Sequence, residues 1–148
     1  MATVKRSKRL KVVEQLAERK ELECAKALGE ITEQLQAAEQ QLQQLHDYKL
    51  EYQRQKDSLQ SINSGGPAVL ANYTRFFQQL DQAIAQQQSV VARIQEQRTR
   101  LQQEWGRRHN KRKNYQKLIA RYQAEEQGES EKRLQKTLDD RRYFNPYE

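Results

Sequence analysis

Apolar positions in this chain recur every seven residues, in alternating steps of three and four, on both sides of a single break. Before the break the series reads Leu28, Ile31, Leu35, Ala38, Leu42, Leu45, Lys49, Tyr52, Lys56, Leu59. After it comes Leu70, Tyr73, Phe77, Leu80, Ile84, Gln87, Val91, Ile94, Arg98, Leu101, Trp105, Arg108, Arg112, Tyr115, Ile119, Tyr122. A seven-residue repeat sustained this long predicts helices paired along a coiled-coil seam. The break is Asn63-Ser64-Gly65-Gly66-Pro67. Glycine adopts the left-handed conformation that ends a helix, and proline suits the first turn of the next one. Outside the break, prolines are absent and glycines sparse from about residue 8 to about residue 127.

The two series also set a register. In an antiparallel pair, a positions face d positions. With Leu28 and Leu70 both at a, the facing pairs are Leu59 with Leu70, Tyr52 with Phe77, Leu45 with Ile84, Leu35 with Ile94, and Leu28 with Leu101. Each pair of residue numbers sums to 129, so the fold-back falls between Ser64 and Gly65, inside the break. The expected fold is therefore all-α, a long antiparallel two-helix coiled-coil hairpin over residues 1–127 with its turn near 63–67. At about 1.5 Å rise per residue each arm is roughly 80 Å long. Extended outward, the register pairs Cys24 with Trp105, Glu21 with Arg108, Ala17 with Arg112 and Leu10 with Ile119. These layers mix in charge, which predicts a looser open end. Residues 128–148 keep only Leu134 and Leu138 at helical spacing, and are expected to be a frayed helix or a disordered tail.

Composition fits such a helix pair better than a globule. Of 148 residues, 35% are hydrophobic and 32% charged, too little apolar mass for a deep core. Glutamine is the commonest residue, and Gln, Glu, Lys, Arg, Leu and Ala all favour helix. The single Cys24 excludes an internal disulfide and a cysteine-cluster metal site. His46 and His109 fall on opposite arms, near opposite ends of the expected hairpin, and do not suit a shared metal. No phosphate-binding glycine loop or nucleophile motif is present. The expectation is a binding protein with no enzymatic site, no metal and no cofactor. No segment approaches the apolar length of a membrane span.

Charge is unevenly distributed. The chain carries a formal net +7. Residues 1–20 hold seven Lys/Arg against Glu14 and Glu18. Residues 106–122 hold Arg107, Arg108, Lys111, Arg112, Lys113, Lys117 and Arg121 with no acid. The hairpin brings both segments to its open end, a basic patch suited to an acidic partner. Aromatic side chains supply a second feature. Tyr48 and Phe76 lie at g positions, outside the seam, and the two g rows of an antiparallel pair share one flank. Gln41, Tyr48, Phe76 and Ala83 then form a row beside Leu45, Tyr52 and Leu80. Such a row either widens the seam and covers itself or binds another protein.

Two segments carry a family resemblance. Asp47-Tyr48-Lys49-Leu50-Glu51-Tyr52 reads DYxxEY, and residues 72–87 read NYxxFxxxLxxAIxxQ. Together with the length, the hairpin and Trp105 followed by basic residues, they resemble the flagellar type III export family FliJ. The resemblance implies a cytoplasmic protein peripheral to the inner membrane and similar in fold to the central stalk of rotary ATPases. It implies docking into the hexameric ring of the export ATPase FliI, in a complex that includes the regulator FliH. It also implies that Gln41, Leu45, Tyr48, Tyr52, Phe76, Leu80 and Ala83 match a family face for the export-gate membrane protein FlhA, with export-substrate chaperones as further partners. By position, Arg9, Lys11, Arg107, Arg108, Lys111, Arg112 and Lys113 form the ATPase-docking end. Competing readings are the equivalent stalk of a virulence type III system, a substrate chaperone, and a basic coiled coil that binds nucleic acid.

Overall fold

The computed structural model describes residues 5–61 and 66–143, which form two helices: α1, Arg6–Ser61, and α2, Pro67–Tyr143. Both are far longer than the ten to fourteen residues usual in globular proteins. Their stability has to come from packing one face against the other helix, because helical propensity alone does not order such polar sequences. The expected turn at Ser64-Gly65 lies outside the described residues. Its C-terminal flank is described: Pro67 opens α2, and the Gly66 carbonyl accepts hydrogen bonds from the amides of Val69 (3.0 Å) and Leu70 (3.4 Å). A proline costs nothing at this position, since its missing amide would have had no partner in the first turn.

The helices pack antiparallel in the predicted register. Side chains that meet across the pair include Lys49 with Asp81, Gln41 with Gln87, Glu21 with His109 and Glu14 with Gln116. Each of these pairs lies within one residue of the register drawn from the heptads. Burial follows the seam as well. Every predicted α1 seam residue from Leu10 to Leu59 is buried or half-buried. On α2 the exception is Leu70, which is exposed in the first turn, where few layers remain to cover it.

The chain divides into two compact units, Ala25–Gln103 and a terminal unit joining residues up to Cys24 with those from Glu104 onward. In the central unit, Leu35, Ala38 and Val91 are buried together, with Leu42, Val90 and Ile94 packed on them. Ile31, Leu80 and Ile84 are buried in the same unit. The small Ala38 lets the backbones approach while Leu35 and Val91 fill the space beside it, an alternation that interdigitates facing layers.

The terminal unit is built differently. Its buried residues are Ser7, Glu21, Cys24 and Ile119, so polar groups share its interior. The first turn of α1 has no acidic residue of its own to answer the helix dipole. Glu126 of α2 supplies one. Its carboxylate accepts a hydrogen bond from the Ser7 hydroxyl (2.7 Å) and another from the Ser7 backbone amide (3.2 Å). Beyond this contact α2 continues as helix to Tyr143, with residues 129–143 exposed. Arg141 and Arg142 occupy its last turn, where cations complement the dipole.

Candidate functional site

The aromatic flank lies within the central unit and is organised around Tyr52. Its ring stacks on Phe76, with centroids 4.1 Å apart and planes inclined by 25°. Tyr73 meets it edge-on at 5.6 Å, Phe77 at 6.3 Å, and Tyr48 lies tilted at 5.7 Å. Tyr48 also contacts Phe76 at 6.1 Å. Aromatic contacts of this kind contribute about 0.5–1.5 kcal/mol per pair beyond the area they bury. The register paired Tyr52 with Phe77, but its closest stack is with Phe76. A tyrosine ring is long enough to swing from the seam onto the neighbouring g row.

The predicted face residues differ in access. Leu80 is buried and supports the surface from below. Leu45, Tyr52, Phe76 and Ala83 are half-buried, and Gln41 is exposed. Tyr48 is 51% exposed despite its ring contacts. A large aromatic side chain that is packed on one side and open on the other is a common anchor for protein contacts. Beside Tyr48 an open depression of about 400 Å³ is lined by Gln41, Gln44, Leu45, Tyr48 and Gln87. Gln87 donates from Nε2 to the Ala38 carbonyl (2.9 Å) and to Oε1 of Gln41 (3.2 Å). It thereby fixes the amide end of the flank. Heptad reading places Gln87 in the seam, where a polar residue gives no signal of its own. Tyr73 likewise falls at a seam position in the heptads, and in the structure it frames the Tyr52 ring.

The basic face lies in the terminal unit. That unit holds nineteen Lys/Arg against twelve Asp/Glu, while the central unit holds eight of each. The whole net charge of +7 thus belongs to the terminal unit. Its predicted docking residues fall into two groups. Arg9, Lys11, Arg107, Lys111 and Lys113 are exposed and make no ion pair among the described residues. Arg108 and Arg112 are half-buried and engaged. Arg108 donates from Nε and Nη2 to Oε1 of Glu104 (3.1 and 2.9 Å), contacts that raise its guanidinium pKa further. Arg112 Nε faces Oε2 of Glu21 at 3.0 Å, with its N–H turned off the line, so the contact is chiefly Coulombic. Arg112 also approaches Glu18 at 3.9 Å.

The sequence register placed Arg108 opposite Glu21. In the structure Glu21 instead meets His109 Nδ1 at 2.8 Å, while Arg108 turns to its own helix. The reason is local. Glu104 stands four residues before Arg108, the spacing that brings two side chains together on one helix. His109 then reaches across, held flat by Trp105, whose ring stacks on it at 4.8 Å and 11°. Among the described residues no group of three or more His, Cys, Asp or Glu is placed to hold a metal ion. None of the helices is long and apolar enough to cross a membrane.

Paired helices with an open aromatic flank and a basic terminal unit define a class of helical proteins that act through contacts with other macromolecules. The model of the flagellar FliJ protein family matches residues 6–146, nearly the whole chain. The chain belongs to the FliJ family, and is a component of the flagellar type III protein export apparatus. No curated protein and no solved structure gives a significant match.

Proposed function

We propose that this protein is the stalk-like coupling factor of the flagellar export machine. In this reading the terminal unit docks into the ring of the export ATPase FliI, with the regulator FliH in the same complex. The aromatic flank around Tyr48, Tyr52 and Phe76 engages the export-gate protein FlhA. The chain performs no chemistry itself. It promotes assembly and turnover of the ring and links that turnover to the gate, in the cytoplasm at the inner membrane.

The observation that carries the reading is the separation of two unlike surfaces between two units. All the net charge is in one, and the exposed aromatic side chain backed by a stacked pair is in the other. A protein that bridges an acidic or polar ring surface and an apolar docking site requires that separation. The flagellar family match favours this reading over the stalk of a virulence system.

The test is ATP turnover by the purified ring as the chain is added. Turnover is expected to rise, and Arg107→Glu/Lys113→Glu is expected to weaken the rise by about tenfold in the concentration required. An absence of both binding and stimulation would remove the proposal.

A further inference from the structure

α2 runs on past the start of α1. Ser7, in the first turn of α1, meets Glu126, and every residue from Glu129 to Tyr143 is exposed. These fifteen residues are about 22 Å of helix with no cover among the described residues. A lone helix of this length is marginal in water, so it gains from a second helix to lie against. Its aliphatic side chains are Leu134, 63% exposed, and Leu138, 51% exposed, one turn apart on one face. Glu131 and Arg141 extend that face in steps of three, one on either side of the leucine pair. Tyr122 and Glu126 are the last α2 residues to meet α1. At about 100° per residue the leucines are turned roughly 80–160° away from them. A second helix can therefore lie on the leucine face without colliding with α1.

We infer that this face is a contact between two copies of the chain, paired antiparallel through residues 129–143. The segment is complementary to itself when reversed. With Lys136 at the centre of symmetry, Leu134 of one copy faces Leu138 of the other, and Glu131 faces Arg141. Two-fold symmetry makes each of these contacts twice. The result is a pair of leucine layers closed at either end by an ion pair, in the three-and-four spacing of an antiparallel seam. Gln135 and Thr137 flank the seam and are uncharged, so neither flank sets like charges together. Lys136 itself falls on the opposite side of the helix, in solvent. A parallel pair would set Glu131 against Glu131 and Arg141 against Arg141, and like charges in contact disfavour it. An unrelated partner has no need of an acid and a base placed symmetrically about a leucine pair. The segment is also nearly neutral. It holds five Lys/Arg against four Asp/Glu, while the rest of the terminal unit holds fourteen against eight. Two copies thus meet where their mutual repulsion is smallest. A contact this short buries less than a standard protein interface, which makes the dimer weak and reversible.

The test is sedimentation velocity of the full chain alone over a concentration series. The ATPase is left out, so failure here leaves the stalk reading untouched. The average mass is expected to rise from the 17.6 kDa of one chain towards twice that value, with its half-point on the order of 100 µM. Leu134→Ser/Leu138→Ser is expected to weaken association by about tenfold or more through lost apolar burial. Leu22→Ser is the matched control, because Leu22 is equally exposed but belongs to α1. It is expected to associate as the parent does. Glu131→Arg and Arg141→Glu are each expected to weaken association by about tenfold, because each sets like charges together in both end layers. An equimolar mixture of these two variants is expected to pair as the parent does, since one then carries two cations where the other carries two anions. Circular dichroism confirms that every variant keeps its helices. A parent chain that stayed at 17.6 kDa throughout would overturn the inference and leave the face to a different protein. Association unchanged in Leu134→Ser/Leu138→Ser, or not restored in the mixture, would overturn it too, since the contact would then lie elsewhere.

Discussion

Oε1 of Glu21 lies 2.8 Å from Nδ1 of His109, tying α1 to α2 through a carboxylate that is buried. The histidine is assigned the tautomer that donates from Nδ1. With Arg112 on its other oxygen and Trp105 stacked behind the imidazole, Glu21 forms a polar layer in a seam that elsewhere is mostly apolar. Such layers contribute little net stability, but they penalise slipped registers that would leave the charge unpaired.

This layer predicts opposite outcomes for two substitutions. Glu21→Ala strands the facing Arg112 and His109, and is expected to cost about 1–3 kcal/mol in urea unfolding. Glu21→Leu fills the site with apolar volume and is expected to recover much of that loss, at the expense of register specificity. Equal destabilisation by both would mean that the loss of charge pairing, not of packing volume, sets the cost at this layer.

The Ser7–Glu126 contact makes the start of α1 sensitive to acid. Hydrogen bonds from Ser7 hold the Glu126 carboxyl below its ordinary value of 4.5, helped by the nearby Lys5 and Lys8. A lowered carboxyl pKa means the contact contributes its full stabilisation above that ordinary value and loses it as pH falls through the lowered one. Protection of the Ser7 amide, measured against its intrinsic exchange rate at each pH, is therefore expected to be lost selectively as pH falls through the lowered Glu126 value. Glu126→Gln should show fast exchange already at neutral pH. If the Ser7 amide exchanged at the same rate in Glu126→Gln as in the parent, the contact would contribute nothing.

Core and surface leucines on α1 separate cleanly. Leu35 is buried against Ala38 and Val91, so Leu35→Ala is expected to cost about 2–4 kcal/mol. Leu50 is exposed, and Leu50→Ala is expected to stay within about 0.5 kcal/mol. Chemical denaturation of both variants measures the contrast directly.

The hairpin was legible in the sequence because a heptad repeat reports which residues face inward, and two repeats read in opposite directions report their alignment. Contacts such as Lys49 with Asp81 and Glu21 with His109 fall within one residue of that alignment. Side-chain direction was less legible. The repeat does not say that Tyr52 stacks on Phe76 in preference to Phe77, or that Arg108 turns to Glu104 along its own helix. These choices depend on ring reach and on competition between partners in the same helix and across the pair. The Glu126 contact was also hidden, because Ser7 and Glu126 stand 119 residues apart and neither belongs to a motif. On the aromatic flank, the two g rows revealed Tyr48 and Phe76, whereas Gln87 emerged only from its hydrogen bonds.

We propose that the flank around Tyr48 and Phe76 docks on the export gate and does not merely cover its own seam. The most direct measurement is the affinity of Tyr48→Ala/Phe76→Ala for the purified cytoplasmic part of the gate protein, with helicity followed by circular dichroism. Helicity is expected to be retained and binding to weaken by at least about 2 kcal/mol, the scale of an interface hot spot. Retained helicity together with unchanged affinity would contradict it.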